Sequence, residues 1–394
     1  MKILVLSWEF PPRIVGGIAR HVGELYPEIV TLGHQVHVVT IEHKDSPHYE
    51  LVEGVHVHRV AVDPHQDFFG WVGNINASLG KHGEKLITEE GDFQIIHAHD
   101  WLVGDAAIAL KNKFKIPLVT TIHATEHGRH NGIHTQTQQY ISNKERNLTH
   151  EAWRVIVCTE YMHREVSGVL HTPWEKIDVI YNGIRAEKKQ IPPDFDKLAF
   201  RRHYATDAEK IVYYVGRMTH EKGVAVLINA APKVLCQLPD VKFIIIGGGN
   251  TDHLKHQAQN LGIWDHCLFT GFMPDQELDR FQSIADCAVF PSLYEPFGIV
   301  ALESFAARVP VVVSDTCGLT EVVHHNHTGI VTKVNNPDSL AWGILEVLRN
   351  PEHSQSLVEN ALIHLKTRFS WPKLAEQTGA VYQKVIAERA KVNW

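Results

Sequence analysis

Short apolar runs alternate along this chain with longer stretches whose apolar residues recur at helical spacing. A first series comprises KILVLS (2–7), VHVVTI (36–41), IIHAH (95–99), LVTTIH (118–123), VIVC (155–158) and DVIYN (178–182). A second comprises IVYYVG (211–216), KFIIIGGG (242–249), CLFTGF (267–272), CAVFPS (287–292), PVVVSD (310–315) and GIVTK (329–333). Runs of this kind suit strands buried on both faces, and intervening helices make such sheets parallel. Two series predict an α/β protein of two doubly wound, Rossmann-like domains, 1–185 and 186–371. Their junction is expected within 185–208. There AEKKQIPPDFDKLAF (186–200) is charged, broken by Pro192-Pro193 and without apolar period, as a linker would be. Asn182-Gly183 offers left-handed backbone for a hinge. The last stretch, 371–391, has a helical pattern.

Length and composition sharpen this picture. At 394 residues, two cores are expected. A net charge of −7 argues against nucleic acid or an anionic membrane as the main partner. No apolar run approaches the ~20 residues that span a bilayer, so no integral membrane segment is expected. MKILVLSWEFPP reads as a first strand, since Glu9 and two prolines interrupt it too soon for a signal peptide. The five cysteines (158, 236, 267, 287, 317) are dispersed, with no C-x-x-C pair, which fits a reducing cytoplasm. The 28 histidines invite a metal reading, but no H-E-x-x-H occurs and HHNH (324–327) reads as a surface turn. Asp194-Phe195-Asp196 falls in the expected linker and reads as a solvated charge cluster. No metal site is expected.

Candidate chemistry gathers where strands run into helices. EPFGIVALE (295–303) follows a buried strand and holds two carboxylates eight positions apart. Glu295 then sits in a loop and Glu303 about two turns into a helix. The amides of Phe297 to Val300 form that helix's N-terminus, where an anion is attracted. GRMTHEKG (216–223) places Arg217 and Lys222 after a strand, as two cations suited to a pyrophosphate or as a solvated basic turn. Gly16-Gly17 open a helix after Pro11-Pro12, for close ligand approach or simply a tight turn. IIIGGGN (244–250) lacks the G-x-G-x-x-G pattern and does not announce NAD. His99, Asp100 and Trp101 end another strand; Asp100 faces a cleft or caps a helix. His123 closes the next strand, as a hydrogen-bonding partner for a sugar hydroxyl or as a structural residue. SDTCGLTEVV (314–323) is a further strand–loop–helix junction.

In this order and spacing, the motifs resemble the retaining glycosyltransferases of GT-B architecture, group 1, with seven residues between two glutamates. GRxxxEKG, PSxxEPFGIVALE, the N-terminal double glycine, HAHDW and TIHATEHGR are similar to the glycogen and starch synthase-like branch. The resemblance covers nearly the whole chain. It implies an acceptor domain, a donor domain, a ligand cleft between them, and a last helix (about 372–394) that returns to the first domain. It implies that Arg217 and Lys222 bind the donor diphosphate and that Glu295 contacts the sugar beside its anomeric carbon. Glu303 would hold the ribose, and the amides of Phe297, Gly298 and Ile299 the sugar or distal phosphate. Gly16 and Gly17 would approach the diphosphate, Gly248 and Met273 would lie near the base, and His123 would meet the transferred sugar. Asp100, Trp101 and Glu126 would face the acceptor. The implied reaction moves a hexosyl, most simply glucosyl, unit from a nucleoside-diphosphate sugar to a glycan or other hydroxyl, with no cofactor and no divalent metal. The chain departs from the pattern at Cys317-Gly318, where two glycines are common, at Arg308 before PVV, and at Arg13-Ile-Val-Gly-Gly, where starch synthases carry Lys-x-Gly-Gly. Nucleotide-sugar epimerases share the architecture and form the competing enzyme class; a nucleotide-sugar sensor is the non-enzymatic one. Within transferases, the alternative is another sugar passed to a cell-surface or lipid-linked glycan.

Overall fold

A computed structural model describes residues 1–189, 191–392 and 394. The chain divides into two units, Met1–Gly183 with Trp371–Trp394, and Ile184–Ser370.

Unit 1 is built on an eight-stranded sheet: β1 (Lys2–Leu6), β2 (Gln35–Ile41), β3 (Tyr49–Val52), β4 (Val55–Val60), β5 (Phe93–His99), β6 (Leu118–Ile122), β7 (Arg154–Val157) and β8 (Ile177–Val179). Their order is β3-β4-β2-β1-β5-β6-β7-β8. Every pairing is parallel except β3 with β4. The β3–β4 hairpin has no counterpart in the apolar runs above. β3 alternates exposed and half-buried residues at the sheet edge, where one-sided burial suffices.

Unit 2 carries six parallel strands: β9 (Lys210–Val215), β10 (Val241–Ile246), β11 (Cys267–Gly271), β12 (Cys287–Phe290), β13 (Val311–Ser314) and β14 (Ile330–Thr332). Their order is β11-β10-β9-β12-β13-β14. In both sheets the winding reverses beside the first strand, between β1 and β5 and between β9 and β12. Ligands of such sheets gather at the carboxyl ends of the strands at that reversal.

The core of unit 1 joins both ends of the chain. Helix Gly17–Thr31 packs Val22, Leu25, Tyr26 and Ile29 into one cluster with Trp371, Leu374, Val381, Tyr382 and Val385 of helix Trp371–Arg389. The Trp371 indole N–H donates to Glu24 Oε2 at 2.6 Å. Burial of such aromatics contributes strongly: truncating one to alanine in a core costs about 3–5 kcal/mol.

Three expectations about the junction are corrected. Asn182 and Gly183 do not adopt positive φ. Asn182 is buried and holds His21, and a Cβ on Gly183 would lie 2.7 Å from the Trp371 ring, so glycine is required there by contact. Nor is 185–208 a free linker. Its described part belongs to unit 2, where Lys189 bonds Asp279 and Gln282, and Arg201 pairs with Asp286. Asp196 is no loose charge either. Its carboxylate accepts from the Ala199 amide and caps the short helix Lys197–Arg201.

Candidate functional site

In unit 2 the site grows from the reversal between β9 and β12. β9 delivers Arg217, followed by the short turn His220–Lys222. β12 delivers the loop that carries Glu295. The two are pinned together: the amides of Leu293 and Tyr294 both donate to the Glu221 carbonyl, at 2.8 and 3.2 Å. Gly223 makes this approach possible. It sits at φ +67, and a Cβ there would lie 2.0 Å from the Pro291 carbonyl oxygen. The result is an ion pair between Lys222 Nζ and Glu295 Oε2 at 2.6 Å, both half-buried. Arg217 is exposed, with its guanidinium 3.4 Å from Glu221 Oε1. Thr219 Oγ1 donates to the same Glu221 oxygen at 2.7 Å.

Helix Ile299–Ala306 begins beside this pair, with Gly298 at φ 99 as its cap. The helix starts at Ile299, so Phe297 and Gly298 precede it and Glu303 lies just over one turn in, not two. Phe297 is buried. Cys317 takes φ 46, the left-handed geometry that a glycine adopts easily, and the Gly318 amide donates to the Glu295 carbonyl at 3.0 Å. Arg308 is likewise left-handed, at φ 61. Gly248 is exposed in the turn after β10, and its carbonyl accepts from the Met218 amide. Met273 is buried while its neighbour Phe272 is 73% exposed, so Phe272 is the side chain of that turn that faces outward.

In unit 1 the same kind of reversal assembles a second group. Ser7 and Glu9 follow β1. The Glu9 carboxylate accepts from the amides of Val15 and Gly16, both at 2.8 Å, and so folds the loop that leads to Gly17, the first residue of its helix. Asp100 is no helix cap: its carboxylate accepts the His123 amide at 2.8 Å and ties the ends of β5 and β6 together. Burial raises its pKa to about 6, against the pull of Arg129. Trp101 is 6% exposed and packs with Val72, Leu102 and Ile141. Near it, Phe68, whose ring meets Trp101, and Tyr140 are 48% and 45% exposed. Glu126 is buried and pairs with Arg129 and His130. Its amide donates to Glu145 Oε1, and burial drives the Glu145 carboxyl up to about 8.

A histidine network underlies these residues and was not legible as a motif. His99 Nδ1 lies 3.1 Å from His123 Nε2, and His99 Nε2 lies 2.6 Å from Tyr26 Oη. His97 contacts Thr121, Tyr26 and Tyr382. His21 Nδ1 donates to Asn182 Oδ1 at 2.7 Å. Burial holds His21 and His123 near 3 and His97 and His99 well below the ordinary range, so all four rings are neutral at pH 7. Positions 21, 97, 99 and 123 share no spacing rule; strand order alone brings them together.

Chemically, unit 2 offers two cations, a fixed carboxylate and a helix start at one strand-end. Unit 1 offers neutral hydrogen-bonding rings at another. No helix among the described residues is long and apolar enough to cross a membrane.

Comparison with known proteins agrees with this layout. A family model described as "Glycosyl transferases group 1" matches residues 196–363, and one described as "Glycosyltransferase Family 4" matches residues 15–188. An uncharacterized glycosyltransferase of Methanocaldococcus jannaschii is 38% identical over 97% of this chain and 98% of its own. A glycogen synthase of Mycobacterium tuberculosis is 35% identical over 97% of this chain and 94% of its own. Among solved structures, sucrose-phosphate synthase from Thermosynechococcus elongatus superposes with a TM-score of 0.83 at 23% identity, covering 98% of this chain and 99% of its own, a likeness of fold. With two parallel-sheet α/β units and these relatives, the chain belongs to the group 1 glycosyltransferases of GT-B fold, and is glycogen synthase-like.

Proposed function

We propose that this glycosyltransferase moves a glucosyl unit from a nucleoside-diphosphate glucose to a hydroxyl of an α-glucan, with retention of configuration and without a divalent metal. The observation that carries the reading is the Lys222–Glu295 pair at 2.6 Å beside Arg217, at the strand reversal of unit 2. A departing diphosphate needs fixed positive charge, and Arg217 with Lys222 supplies it as a planar fork and a point charge. Glu295, anchored by Lys222, orients a sugar hydroxyl. Glu303 takes the ribose, the amides of Phe297, Gly298 and Ile299 take the sugar or distal phosphate, and the base lies near Gly248 and the Phe272-Met273 turn, where Phe272 is the exposed side chain. In unit 1, Gly16 and Gly17 are assigned to the diphosphate and His123 to the transferred sugar, while Asp100, Trp101 and Glu126, all buried, shape the acceptor side from behind by holding its loops.

The transition state resembles an oxocarbenium ion, as in other glycosyl chemistry. The donor diphosphate oxygen takes the acceptor proton on the face it leaves, so the bond to the anomeric carbon forms where the old one breaks. Catalysis comes from preorganised charge and positioning. The glycogen synthase relative supports glucose as the sugar and a glucan as the acceptor. The test is nucleoside-diphosphate release from UDP-glucose, ADP-glucose and GDP-mannose, each with and without glycogen or maltooligosaccharide. Release from a glucose donor that depends on glucan is expected, with an α-linked product by NMR. Release that ignores glucan for every donor overturns the acceptor assignment.

A further inference from the structure

Three histidines far apart in sequence converge in unit 1. His21 lies on helix Gly17–Thr31, His99 ends β5 and His123 follows β6. One ring nitrogen from each lies within 4.8 Å of those from the other two. We propose that these three imidazoles form a binding site for a divalent transition-metal ion of the zinc type.

The hydrogen bonds around the cluster orient its rings, and the proton shared between His99 Nδ1 and His123 Nε2 is released when a metal binds. Asn182 Oδ1 accepts the proton on His21 Nδ1, so His21 Nε2 carries a lone pair. That nitrogen is buried, on a side chain only 3% exposed, and has no hydrogen-bond partner among the described residues. Leaving it so is costly, and a metal ion would satisfy it. On His99, Tyr26 Oη holds Nε2 at 2.6 Å, which directs Nδ1 to the cluster. Outer-nitrogen partners of this kind fix the ring and tautomer of ligating histidines.

The spacing also fits. Two nitrogens bound at about 2.0–2.1 Å to one tetrahedral ion stand roughly 3.4 Å apart. His99 Nδ1 and His123 Nε2 are already 3.1 Å apart, and side-chain shifts on the order of 1 Å bring in the third ring. Three neutral imidazoles with no carboxylate select zinc, copper, nickel or cobalt over magnesium or calcium. Three imidazoles leave the fourth position of a tetrahedral ion to water or a ligand oxygen. A consequence rests on the transfer reading above: an ion on the His123 ring removes it from the sugar, so zinc inhibits transfer.

The test uses the full chain, stripped with a chelator and titrated with Co²⁺. Intense visible bands of tetrahedral cobalt are expected, displaced by Zn²⁺, lost in His21→Ala and kept in His327→Ala, whose residue sits on an exposed turn. Only the weak bands of octahedral cobalt, or full bands in a folded His21→Ala, overturn the site. Should His21→Ala fail to fold, zinc-edge X-ray absorption of the wild type decides: three imidazoles support the site, and one or none overturns it. The spectra do not depend on catalysis. Bands with no transfer by the metal-free protein sink the transfer reading alone, and transfer by the metal-free protein with no bands on adding cobalt sinks the metal site alone. Bands with transfer unmoved by saturating zinc sink the inhibition.

Discussion

Lys222 and Glu295 are separated by 73 positions yet meet at 2.6 Å, half-buried, which makes each the partner that keeps the other's charge from being stranded. Lys222→Ala removes both the cation and the anchor of Glu295. It should lower kcat by roughly 10²–10³, the scale for one preorganised donor, as should Arg217→Ala. Steady-state rates at saturating donor check this, and unchanged turnover in both variants removes the diphosphate assignment. Glu145 gives a pH effect. Its folded pKa of about 8 stands above the ordinary 4.5, because burial disfavours the carboxylate. The folded state therefore holds a proton that the unfolded chain releases. This contribution to stability is full below pH 4.5 and is lost as pH rises through about 8. Glu145→Gln should be more stable than wild type at pH 9, by at most a few kcal/mol, and the gap should narrow toward pH 5. Thermal melts across that range settle it. At this scale EPFGIVALE and GRMTHEKG were legible because each is contiguous after a strand. Their contact was not, since it depends on β9 and β12 being neighbours. Glu145 was invisible because its burial comes from packing, with no signal in the residues around it.

Among elements, the face shared by β2 and β4 carries His37, His56 and His58, with His82 packed against His58 and with Glu90 and Lys2 nearby. Burial holds His37 and His58 near 4, below the ordinary 6.5. Their stabilising effect is present above pH 6.5 and is lost as pH falls through about 4, where protonation puts charge into the stack. Replacing His58 with Gln should move the acid midpoint of unfolding to lower pH, read by circular dichroism. Helix Val224–Leu235 begins at Gly223, and Gly223→Ala should destabilise by several kcal/mol because neither its φ nor its distance to Pro291 admits a methyl group. A denaturant titration tests this. The buried parallel strands were readable from continuous apolar runs. The β3 edge and the tie between Asn182 and His21 were not: the first needs one buried face only, and the second is a tertiary contact that mimics a hinge dipeptide in sequence.

For the molecule as a whole, two sheets with the same reversal were predictable from two series of strands. Where the units part was less so, because charge and prolines in 186–200 suggested a free linker, while long-range ion pairs with Asp279 and Asp286 place that stretch in unit 2. Deleting 371–394 should abolish cooperative folding of unit 1, since Trp371 and Tyr382 leave its core, while 184–370 expressed alone should still unfold in one transition. Calorimetry of the two fragments decides. The terminal helix has one more consequence, in the order of synthesis. A ribosome finishes the first 183 residues long before it makes the segment that seals them, so the half begun first is completed last. At the usual pace of translation, the apolar bed around Tyr26 waits roughly 10–40 s for Trp371 while unit 2 is being made. A chain released at Ser370 therefore presents one finished domain and one open groove, the form in which a holdase chaperone would meet it.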